Sequence, residues 1–303
     1  MLITIITAVY NNKACIGTSL ESVAAQTYPH IEHIVIDGGS ADGTLDIIES
    51  RRRRIARLVS EPDKGIYDAL NKGIRLATGD VIGFLHSDDV YENNSVIEKV
   101  ASLISANPVD SCYGDLLYVN KNNLSKIVRY WRSGQYREGL FLGGWMPPHP
   151  TFFVRRGVYE KYGVFNPALG SAADYELMLR FLVKHKISTA YIPEVLVRMR
   201  TGGASNRSVM DRLHANRMDR LAWDFNGLKP SPFTLFMKPL RKLGQFISGY
   251  PGPEADMPHV PQTAEYPDGA MGAFSAAEPA AEYQADISTG KKGRKVDNGK
   301  EKS

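Results

Sequence analysis

The stretch Val81-Ile82-Gly83-Phe84-Leu85-His86-Ser87-Asp88-Asp89 decides the fold of this chain. Its first five residues are largely apolar, and an uninterrupted apolar run predicts a parallel strand that is covered on both faces. Two adjacent carboxylates follow, at the end of the strand where open α/β sheets place their ligands. Because neighbouring strand residues point to opposite faces, we expect Asp89 to bind a divalent cation, Mg²⁺ or Mn²⁺, and Asp88 to bind a ligand hydroxyl. The alternative is a solvated acidic loop after a core strand.

Strands and helices alternate on the amino-terminal side of this stretch. The segments Leu2–Thr7, Ile34–Ile36 and Ile55–Ser60 are rich in apolar and β-branched residues. Each is followed by a segment with helical spacing of apolar residues, namely Ile16–Ala25, Thr44–Arg54 and Ile66–Ala77. The alternation predicts βαβ units, and therefore an α/β fold with a mostly parallel sheet flanked by helices.

The pattern changes on the carboxyl-terminal side. Helix Ser95–Ala106 precedes two predicted strands, Ser111–Val119 and Ile127–Arg132, which Asn120–Asn123 joins as an antiparallel hairpin. Gly139–Met146 is rich in glycine and large apolar residues, which predicts a flexible loop over a substrate. Further strands or helices are predicted at Thr151–Val154, Val158–Tyr162, Ala173–Lys184, Ser188–Ile192, Leu196–Arg200 and Ser208–Phe225. We therefore expect one domain over residues 1–225, with one half at about 1–110 and the other at about 111–225.

Composition excludes several classes of protein. The 303 residues are 43% hydrophobic and 23% charged, with a net charge of +4. This charge is too small to indicate nucleic-acid binding, and no zinc-finger or RNP-like pattern occurs. The only two cysteines, Cys15 and Cys112, do not have the spacing of metal ligands. Two cysteines exclude a disulfide framework, so the sequence predicts a reducing compartment. Because the sequence shows no signal-peptide pattern and no apolar stretch long enough to span a bilayer, we expect a cytoplasmic protein.

Two carboxyl-terminal segments differ from the rest of the chain. Ser231–Gly249, within residues 226–250, has apolar residues at i, i+3 and i+4 spacing and basic residues on another face, which predicts an amphipathic helix. Such a helix either makes a peripheral contact with the inner face of the cytoplasmic membrane or packs on the domain with a solvated basic rim. Residues 251–303 hold too little apolar surface to fold, so we expect a disordered tail.

The first predicted turn excludes two common nucleotide-binding folds. A nicotinamide dehydrogenase needs G-x-G-x-x-G after its first strand, and a Walker-type kinase needs G-x-x-x-x-G-K-[ST]. The turn here is Ala8-Val9-Tyr10-Asn11-Asn12, without glycine. Polar side chains stand instead at successive strand ends, namely Thr7, Asp37, Asp63, Asp88 and Asp89. Each alone is more often a helix cap, but the series in register predicts an edge that binds a base or a ribose.

Four segments together resemble the family 2 glycosyltransferases, which have the Rossmann-like GT-A fold. They are Thr7–Asn11, Ser22–Pro29, Asp37–Thr44 and Ser87–Asp89, and the resemblance covers roughly residues 1–205. It implies an inverting enzyme with a nucleotide-binding half, an acceptor half, a nucleotide-diphospho-sugar donor and a divalent cation. It implies that Thr7, Ala8 and Tyr10 line the nucleoside pocket, that Asp37 contacts the base with Asp63 nearby, and that Asp88 and Asp89 match the D-x-D region. His86 stands where the family has the first aspartate, and imidazole also binds divalent ions.

Inversion at a sugar carbon needs a base for the acceptor hydroxyl and positive charge beside the leaving diphosphate. Asp174 matches the family's acidic motif and is the expected base, with Glu176 as the runner-up; the alternative for Asp174 is a helix cap. Ala173 stands where the family usually has another acidic residue. His149 is expected to reach the diphosphate or the cation, or else to be structural in its proline-rich turn. Arg198 and Arg200 resemble the relatives' segment near donor phosphate and acceptor.

The expected function is the inverting transfer of a sugar from a nucleotide-diphospho-sugar to a glycan or lipid-linked glycan. The building of surface or extracellular polysaccharide is the expected setting. A non-catalytic nucleotide-sugar-binding subunit is the alternative, with His86 and Ala173 marking lost chemistry. A nucleotidyltransferase needs a glycine- and lysine-rich first loop, which Tyr10-Asn11-Asn12 does not supply.

Overall fold

The computed structural model describes residues 1–202, 209–231 and 234. Its first four long strands are β1 (Ile3–Val9), β2 (Ile31–Asp37), β3 (Arg57–Ser60) and β4 (Val81–Phe84). They pair in parallel in the order β3-β2-β1-β4, so their carboxyl ends meet at one edge of the sheet. All of β1 and β4 is buried, which confirms the prediction from the apolar run. Helices α1 (Ile16–Ala24), α2 (Thr44–Ser50) and α3 (Ile66–Leu76) connect these strands.

The second half continues the same sheet with mixed strand directions. It contains β5 (Val90–Tyr91), α4 (Val96–Ala106), β6 (Ser111–Asn120), β7 (Asn123–Trp131), β8 (Phe153–Arg155), α5 (Arg156–Tyr162), α6 (Ala173–Met178), β9 (Thr189–Arg200) and α7 (Val209–Phe225). In the part of the chain that the structure describes, nine strands follow the order β3-β2-β1-β4-β8-β6-β9-β5, with β7 beside β6. Strand β8 runs antiparallel to both β4 and β6, and the predicted β6–β7 hairpin is confirmed. The α/β fold is therefore parallel in its first half and mixed beyond β4.

One glycine allows β4 to approach its neighbours closely. A Cβ atom on Gly83 would lie 2.3 Å from the Phe153 ring on β8, a distance that real Cβ contacts do not reach. Because no such atom is present, the ring packs directly on the β4 backbone and the two halves share one sheet.

Three predicted elements differ in the structure. The two short strands predicted at Ser188–Ile192 and Leu196–Arg200 are one strand, β9, because the register shift opposite Asp115 accommodates Pro193 without ending it. Strand β5 was not predicted, since two residues are too short to show a pattern. The predicted helix Ala173–Lys184 is α6 followed by a π-helical turn, Leu179–Lys184.

The predicted flexible loop Gly139–Met146 is instead packed on the core. It contains a 3₁₀ turn, Leu140–Gly143, and the side chains of Phe141 and Trp145 are 1% and 7% exposed. The Trp145 indole Nε1 donates a hydrogen bond of 2.8 Å to the Ser133 carbonyl. The large apolar residues of this segment therefore serve packing, and the prediction of a loose lid is wrong.

Several predictions fall outside the described residues. They concern most of the amphipathic helix assigned to residues 226–250, the tail 251–303, and the Gly203–Ser205 end of the loop after β9. Among the residues that are described, no helix combines the length and the hydropathy needed to cross a membrane.

Candidate active site

Hydrogen bonds tie together the loops that leave the parallel strands. After β1, the Asn11 amide donates to Ser40 Oγ at 2.8 Å, which joins this loop to the one after β2. Asn12 Nδ2 donates to Ser87 Oγ at 2.8 Å, which joins it to the loop after β4. Asn11 has a positive φ of 45°, a conformation that asparagine tolerates better than most residues. The Tyr10-Asn11-Asn12 turn thus fixes the edge of the sheet that the sequence assigns to ligand binding.

Two predicted pocket residues face the interior instead. Thr7 is fully buried, and its hydroxyl lies 3.0 Å from Nε2 of the buried His33 on β2. Ala8 is 2% exposed and packs in the main hydrophobic cluster. Both side chains therefore lie within the buried length of β1, and the assignment of Thr7 and Ala8 to the nucleoside pocket stays a prediction.

Asp37 was expected to contact the base, and the structure gives it a structural role. It is fully buried, and its carboxylate accepts hydrogen bonds from the Gly39 and Ser40 amides at 3.2 and 3.1 Å. The Ser40 and Ser60 hydroxyls donate to it at 2.5 and 2.7 Å. Asp37 therefore holds the ends of β2 and β3 together, and its oxygens are already occupied.

Asp63 presents a different arrangement at the end of β3. Its side chain is 1% exposed, and Oδ1 accepts a hydrogen bond of 2.5 Å from Lys72 Nζ on α3. Oδ2 is buried without a hydrogen-bond partner among the described residues. A Cβ atom on Gly38 would lie 3.0 Å from this Oδ2 and 3.3 Å from the Tyr10 ring. Burial raises the pKa of Asp63, although Lys72 opposes this shift. Tyr10, Gly38 and Asp63 therefore lie together near the ends of β1, β2 and β3. The sequence names Tyr10 and Asp63 for the nucleotide side of the site, but it does not name Gly38.

The two aspartates after β4 have different surroundings. Asp89 is 1% exposed, and its Oδ1 accepts a hydrogen bond of 3.2 Å from the Arg200 amide on β9. Burial raises the pKa of Asp89 well above its usual value, and the neighbouring Asp88 adds to the shift. Asp88 is only partly buried, and its backbone carbonyl accepts a hydrogen bond from the Arg200 guanidinium. Asp88 is therefore the more exposed of the two carboxylates, and the assignment of Asp89 to the cation and Asp88 to a donor hydroxyl stays a prediction.

Arg200 lies against this loop rather than in open solvent. It is 6% exposed, and a second guanidinium nitrogen donates to Thr18 Oγ1 at 3.3 Å. Arg198, two residues earlier on β9, forms a buried ion pair with Glu92 at 2.5 Å and does not belong to the site. Arg200 thus brings positive charge to Asp88 and Asp89, while Arg198 stabilises β5 against β9.

Two histidine rings from the loop after β4 and the turn before β8 lie close together. The ring centroids of His86 and His149 are 5.5 Å apart with the ring planes tilted by 36°, and the His149 ring stacks on Phe84 at 5.3 Å. Nδ1 of His86 and Nε2 of His149 are buried without hydrogen-bond partners among the described residues. Burial lowers the pKa of both rings, for His149 to about 3, so both are neutral at pH 7. The structure therefore places His149 close to His86 as an aromatic packing partner, and its Nε2 has no hydrogen-bond partner among the described residues.

Asp174 lies in the first turn of α6 and faces the nucleotide half. Its Oδ1 accepts a hydrogen bond of 2.7 Å from the Tyr175 amide. The N-cap of α6 is Ala172, so Asp174 lies inside the first turn and does not cap the helix. The phenol of Tyr67, at the start of α3, hydrogen bonds to the backbone of Asp174, and the Asp174 charge helps burial to raise the pKa of Tyr67. Asn71, one turn further along α3, exchanges two hydrogen bonds of 3.0 Å with the Phe165 backbone. Helix α3 therefore positions the segment that carries Asp174.

Glu176, the runner-up for the base, is committed elsewhere. It is 4% exposed and forms a bidentate ion pair with Arg180, with distances of 3.0 and 3.1 Å. Asn226 Nδ2 donates to the same carboxylate at 3.2 Å. Because both oxygens are used within the fold, the expectation that Glu176 could replace Asp174 is wrong.

Two tyrosines of the site were not predicted. Tyr67 could have been found, because it lies in the first turn of α3 and a helix that begins after a strand end faces the ligand edge. Tyr118 near the end of β6 lies close enough to Asp89 and Asp174 that both carboxylates raise the pKa of its hydroxyl, although burial is the larger cause. The Arg129 guanidinium stacks on its ring at 3.7 Å. No local motif marks Tyr118, since its position depends on how β6 pairs with β7 and β9.

Comparisons with known proteins agree with this geometry. The family described as "Glycosyl transferase family 2" matches residues 4–163. The PGL/p-HBAD biosynthesis glycosyltransferase of Mycobacterium bovis BCG is 29% identical over 221 residues, which cover 72% of this chain and 84% of the relative. The uncharacterized glycosyltransferase Rv1514c of Mycobacterium tuberculosis is 34% identical over 181 residues, 59% of this chain and 68% of the relative.

Solved structures share the fold at lower identity. The S. aureus TarS fragment 1–349 with UDP-GlcNAc superposes with a TM-score of 0.58 and 20% identity over 73% of this chain. This chain covers 65% of that structure, which is less than two thirds of its length. The mannosyltransferase PcManGT of Pyrobaculum calidifontis with GDP-Man and Mn²⁺ gives a TM-score of 0.54 and 18% identity, over 78% of this chain and 68% of its own. With a family match over more than half of its length, the chain belongs to glycosyl transferase family 2.

Proposed function

We propose that this glycosyltransferase moves one sugar, with inversion, from a nucleotide-diphospho-sugar to a glycan or lipid-linked glycan. The observation that carries the proposal is the contact between α3 and the segment of Asp174. It brings Asp174, the candidate for the general base, from the second half to the edge where β3 and β4 present Asp63 and Asp88. The nucleotide pocket, the diphosphate site and the general base then lie on one side of the sheet, as a direct displacement requires.

In this mechanism the side chains divide the work of a single displacement. The carboxylate of Asp174 takes the proton of the acceptor hydroxyl as the hydroxyl oxygen attacks the anomeric carbon. The bond to the donor diphosphate breaks on the opposite face of the sugar, which inverts the anomeric configuration. Arg200 stabilises the loop of Asp88 and contributes positive charge near the leaving group. Tyr67 keeps the segment of Asp174 in place.

A divalent cation fits this site on the Asp88 side. The described residues contain no group of three or more His, Cys, Asp or Glu side chains arranged for a metal. Mg²⁺ and similar ions usually keep several waters and bind through one or two carboxylates together with substrate phosphates, which agrees with a single reachable aspartate. The unpartnered Nδ1 of His86 is a further donor in this region. When bound, the cation would offset the negative charge of the diphosphate.

The acceptor and the setting are inferred from chemistry and from relatives. The name of the Mycobacterium bovis BCG relative refers to the biosynthesis of PGL and p-HBAD, which supports a glycolipid or glycan acceptor here as well. We place the reaction in the cytoplasm, at the inner face of the membrane, in the building of surface or extracellular polysaccharide. The predicted basic helix within residues 226–250 would provide the contact with the membrane.

A transfer assay tests the proposal. The full chain is incubated with nucleotide-sugars, a glycan acceptor and Mn²⁺ or Mg²⁺, and the release of nucleoside diphosphate and the anomeric configuration of the product are measured. An inverted product that disappears in the Asp174→Asn variant is the expected result. A protein that binds the nucleotide-sugar with no turnover of any donor is instead the non-catalytic binding subunit.

A further inference from the structure

Two aromatic rings of the β6–β7 hairpin, those of Tyr118 and Trp131, lie side by side and together form an aromatic shelf. Their planes differ by 4° and their centroids are 6.4 Å apart, so the rings are parallel and offset. Arg129 pairs with Tyr118 across the hairpin, and its guanidinium lies 3.7 Å from the Tyr118 ring centroid and 5.7 Å from that of Trp131. Both aromatic residues are only partly buried, so each keeps part of its surface open to a ligand.

The strand register places the aromatic shelf beside the candidate active site. Val119, the residue after Tyr118, pairs with Arg200 on β9. The amide of that arginine bonds to Asp89 in the loop after β4. The Tyr118 hydroxyl also lies close enough to Asp89 and Asp174 for both carboxylates to raise its pKa. Tyr118 is therefore close both to the loop after β4 and to the candidate for the general base.

The position of β6 in the sheet indicates which substrate meets the aromatic shelf. Strands β2, β1, β4 and β8 separate β6 from β3, at whose end Asp63 and Tyr10 mark the nucleotide side of the site. A nucleoside at the ends of β1 to β3, with its diphosphate beside the loop after β4, leaves the β6 side free. The acceptor hydroxyl must approach Asp174. The molecule that carries this hydroxyl therefore extends over the aromatic shelf.

The chemistry of the aromatic shelf fits a sugar ring. One face of a pyranose carries C–H groups, which pack by dispersion on a flat aromatic surface, while the hydroxyls at its rim need polar partners. The Tyr118 hydroxyl and the remaining N–H groups of Arg129 supply such partners at the edge of the shelf. A lipid phosphate is disfavoured here, because the Asp174 carboxylate lies close by and the Arg129 guanidinium already stacks on Tyr118 and donates to its hydroxyl.

We propose that Tyr118 and Trp131 bind the terminal sugar of the acceptor. The proposal rests on the proposed function and adds the class of acceptor: a glycan or lipid-linked glycan that already carries a sugar ring, and not a bare lipid phosphate. The enzyme then extends an existing glycan. A separate transferase must place the first sugar on the carrier before this reaction.

Two variants separate the ring from the hydroxyl. Trp131→Leu keeps an apolar side chain but removes the flat surface, so the KM for the acceptor should rise by about tenfold or more while the KM for the donor stays unchanged. Tyr118→Phe keeps the ring and removes the hydroxyl, and the KM for the acceptor should rise by about threefold or more. Ile127→Ala is the matched control, because Ile127 lies on the same strand and is 39% exposed but pairs with Val119. Its acceptor KM should equal that of the wild type.

Transfer by the full chain is measured with Mn²⁺, a panel of nucleotide-sugars and two kinds of acceptor. Octyl glycosides of glucose, galactose, mannose, rhamnose and N-acetylglucosamine present a sugar, and farnesyl phosphate is a lipid phosphate without one. At least one glycoside should be extended, and farnesyl phosphate should not.

Iodide quenching of tryptophan fluorescence tests the same contact without turnover. Of the three tryptophans, Trp145 and Trp223 are 7% and 2% exposed, so iodide reaches mainly Trp131. With UDP, GDP or dTDP and Mg²⁺ present, an octyl glycoside that binds should protect the wild type from quenching. The same glycoside should leave quenching of Trp131→Leu unchanged.

Other outcomes separate this inference from the proposed function. An unchanged acceptor KM in a folded Trp131→Leu protein, or transfer to farnesyl phosphate and to no glycoside, would overturn the sugar subsite and leave the transferase standing. A protein that transfers from no donor would contradict the proposed function. Quenching then decides the inference separately, since protection by a glycoside supports the subsite and its absence overturns that as well. If Trp131→Leu does not fold, quenching of the wild type and the acceptor KM of Tyr118→Phe decide.

Discussion

Asp174 and Glu176 are two residues apart on α6, and the structure predicts opposite effects when each carboxylate is replaced by its amide. In Asp174→Asn the amide oxygen can still accept the hydrogen bond from the Tyr175 amide. Because this acceptor is retained and Asp174 is only partly buried, the free energy of unfolding should change by less than about 0.5 kcal/mol. Asparagine cannot take up a proton at neutral pH, however. We therefore expect kcat to fall by roughly 10²–10⁴, which corresponds to about 2.7–5.4 kcal/mol in the barrier.

Glu176→Gln should do the reverse. It removes the charge from a buried pair with two hydrogen bonds to Arg180, at 3.0 and 3.1 Å. Breaking a buried ion pair from one side costs about 3–5 kcal/mol, and glutamine retains one acceptor, so we expect a loss near the lower end. In a protein of this size each kcal/mol lowers Tm by about 2–4 °C, which predicts a fall of about 6–12 °C. Because Glu176 does not reach the substrate, kcat per folded molecule should stay near that of the wild type.

Differential scanning fluorimetry and steady-state assays of both variants, below the lower of the two Tm values, provide the measurement. The reasoning is refuted if Asp174→Asn turns over normally, or if it melts several degrees early, since the role of Asp174 would then be structural. It is also refuted if Glu176→Gln keeps its Tm and loses its activity, because Glu176 would then be the base.

Three further predictions follow from the same geometry. Asp88→Asn should lose the Mn²⁺-dependent part of donor affinity in calorimetry, whereas Asp89→Asn should retain it. Asp89→Asn should also melt no earlier than wild type, because burial already disfavours the Asp89 charge. Equal losses of affinity in the two variants would mean that both residues ligate the cation. Gly38→Ala should weaken nucleotide binding by about tenfold with little change in Tm, because its Cβ would lie 3.0 Å from Asp63 Oδ2; unchanged affinity would place the base elsewhere. Burial lowers the pKa of His33 to about 4. Below about pH 6.5 the unfolded chain binds a proton that the folded state does not, so stability falls between about pH 6.5 and 4 by up to about 1.4 kcal/mol per pH unit. His33→Asn should reduce that slope in urea titrations, and an unchanged slope would contradict the assignment.

The sequence by itself predicted the parallel strands, the helices between them and the edge of the sheet where the strands' carboxyl ends meet. A continuous apolar run such as Val81–Leu85 is typical of a strand buried on both faces, and carboxylates directly after it lie at the strand end. For that reason Asp63 and Asp88 could be selected as candidates from strand ends, whereas Asp174, on α6, was selected from the resemblance to the family. Apolar runs and the polar residues that follow them are local properties of the chain, so they can be read from the periodicity of side chains in the sequence.

Only the tertiary structure decided which polar atoms remain open to a ligand. Asp37 and Asp63 both follow parallel strands, yet four hydrogen bonds occupy the first and a single lysine leaves one oxygen of the second unpartnered. Asp88 and Asp89 differ in their surroundings because the amide of Arg200, 111 residues away along the chain, bonds to Asp89, while Asp88 is only partly buried. Glu176 is excluded by Arg180 and Asn226 in the same way. Hydrogen-bond partners are distant in sequence and exclusive in space, so a linear pattern names the candidates and the folded chain chooses among them.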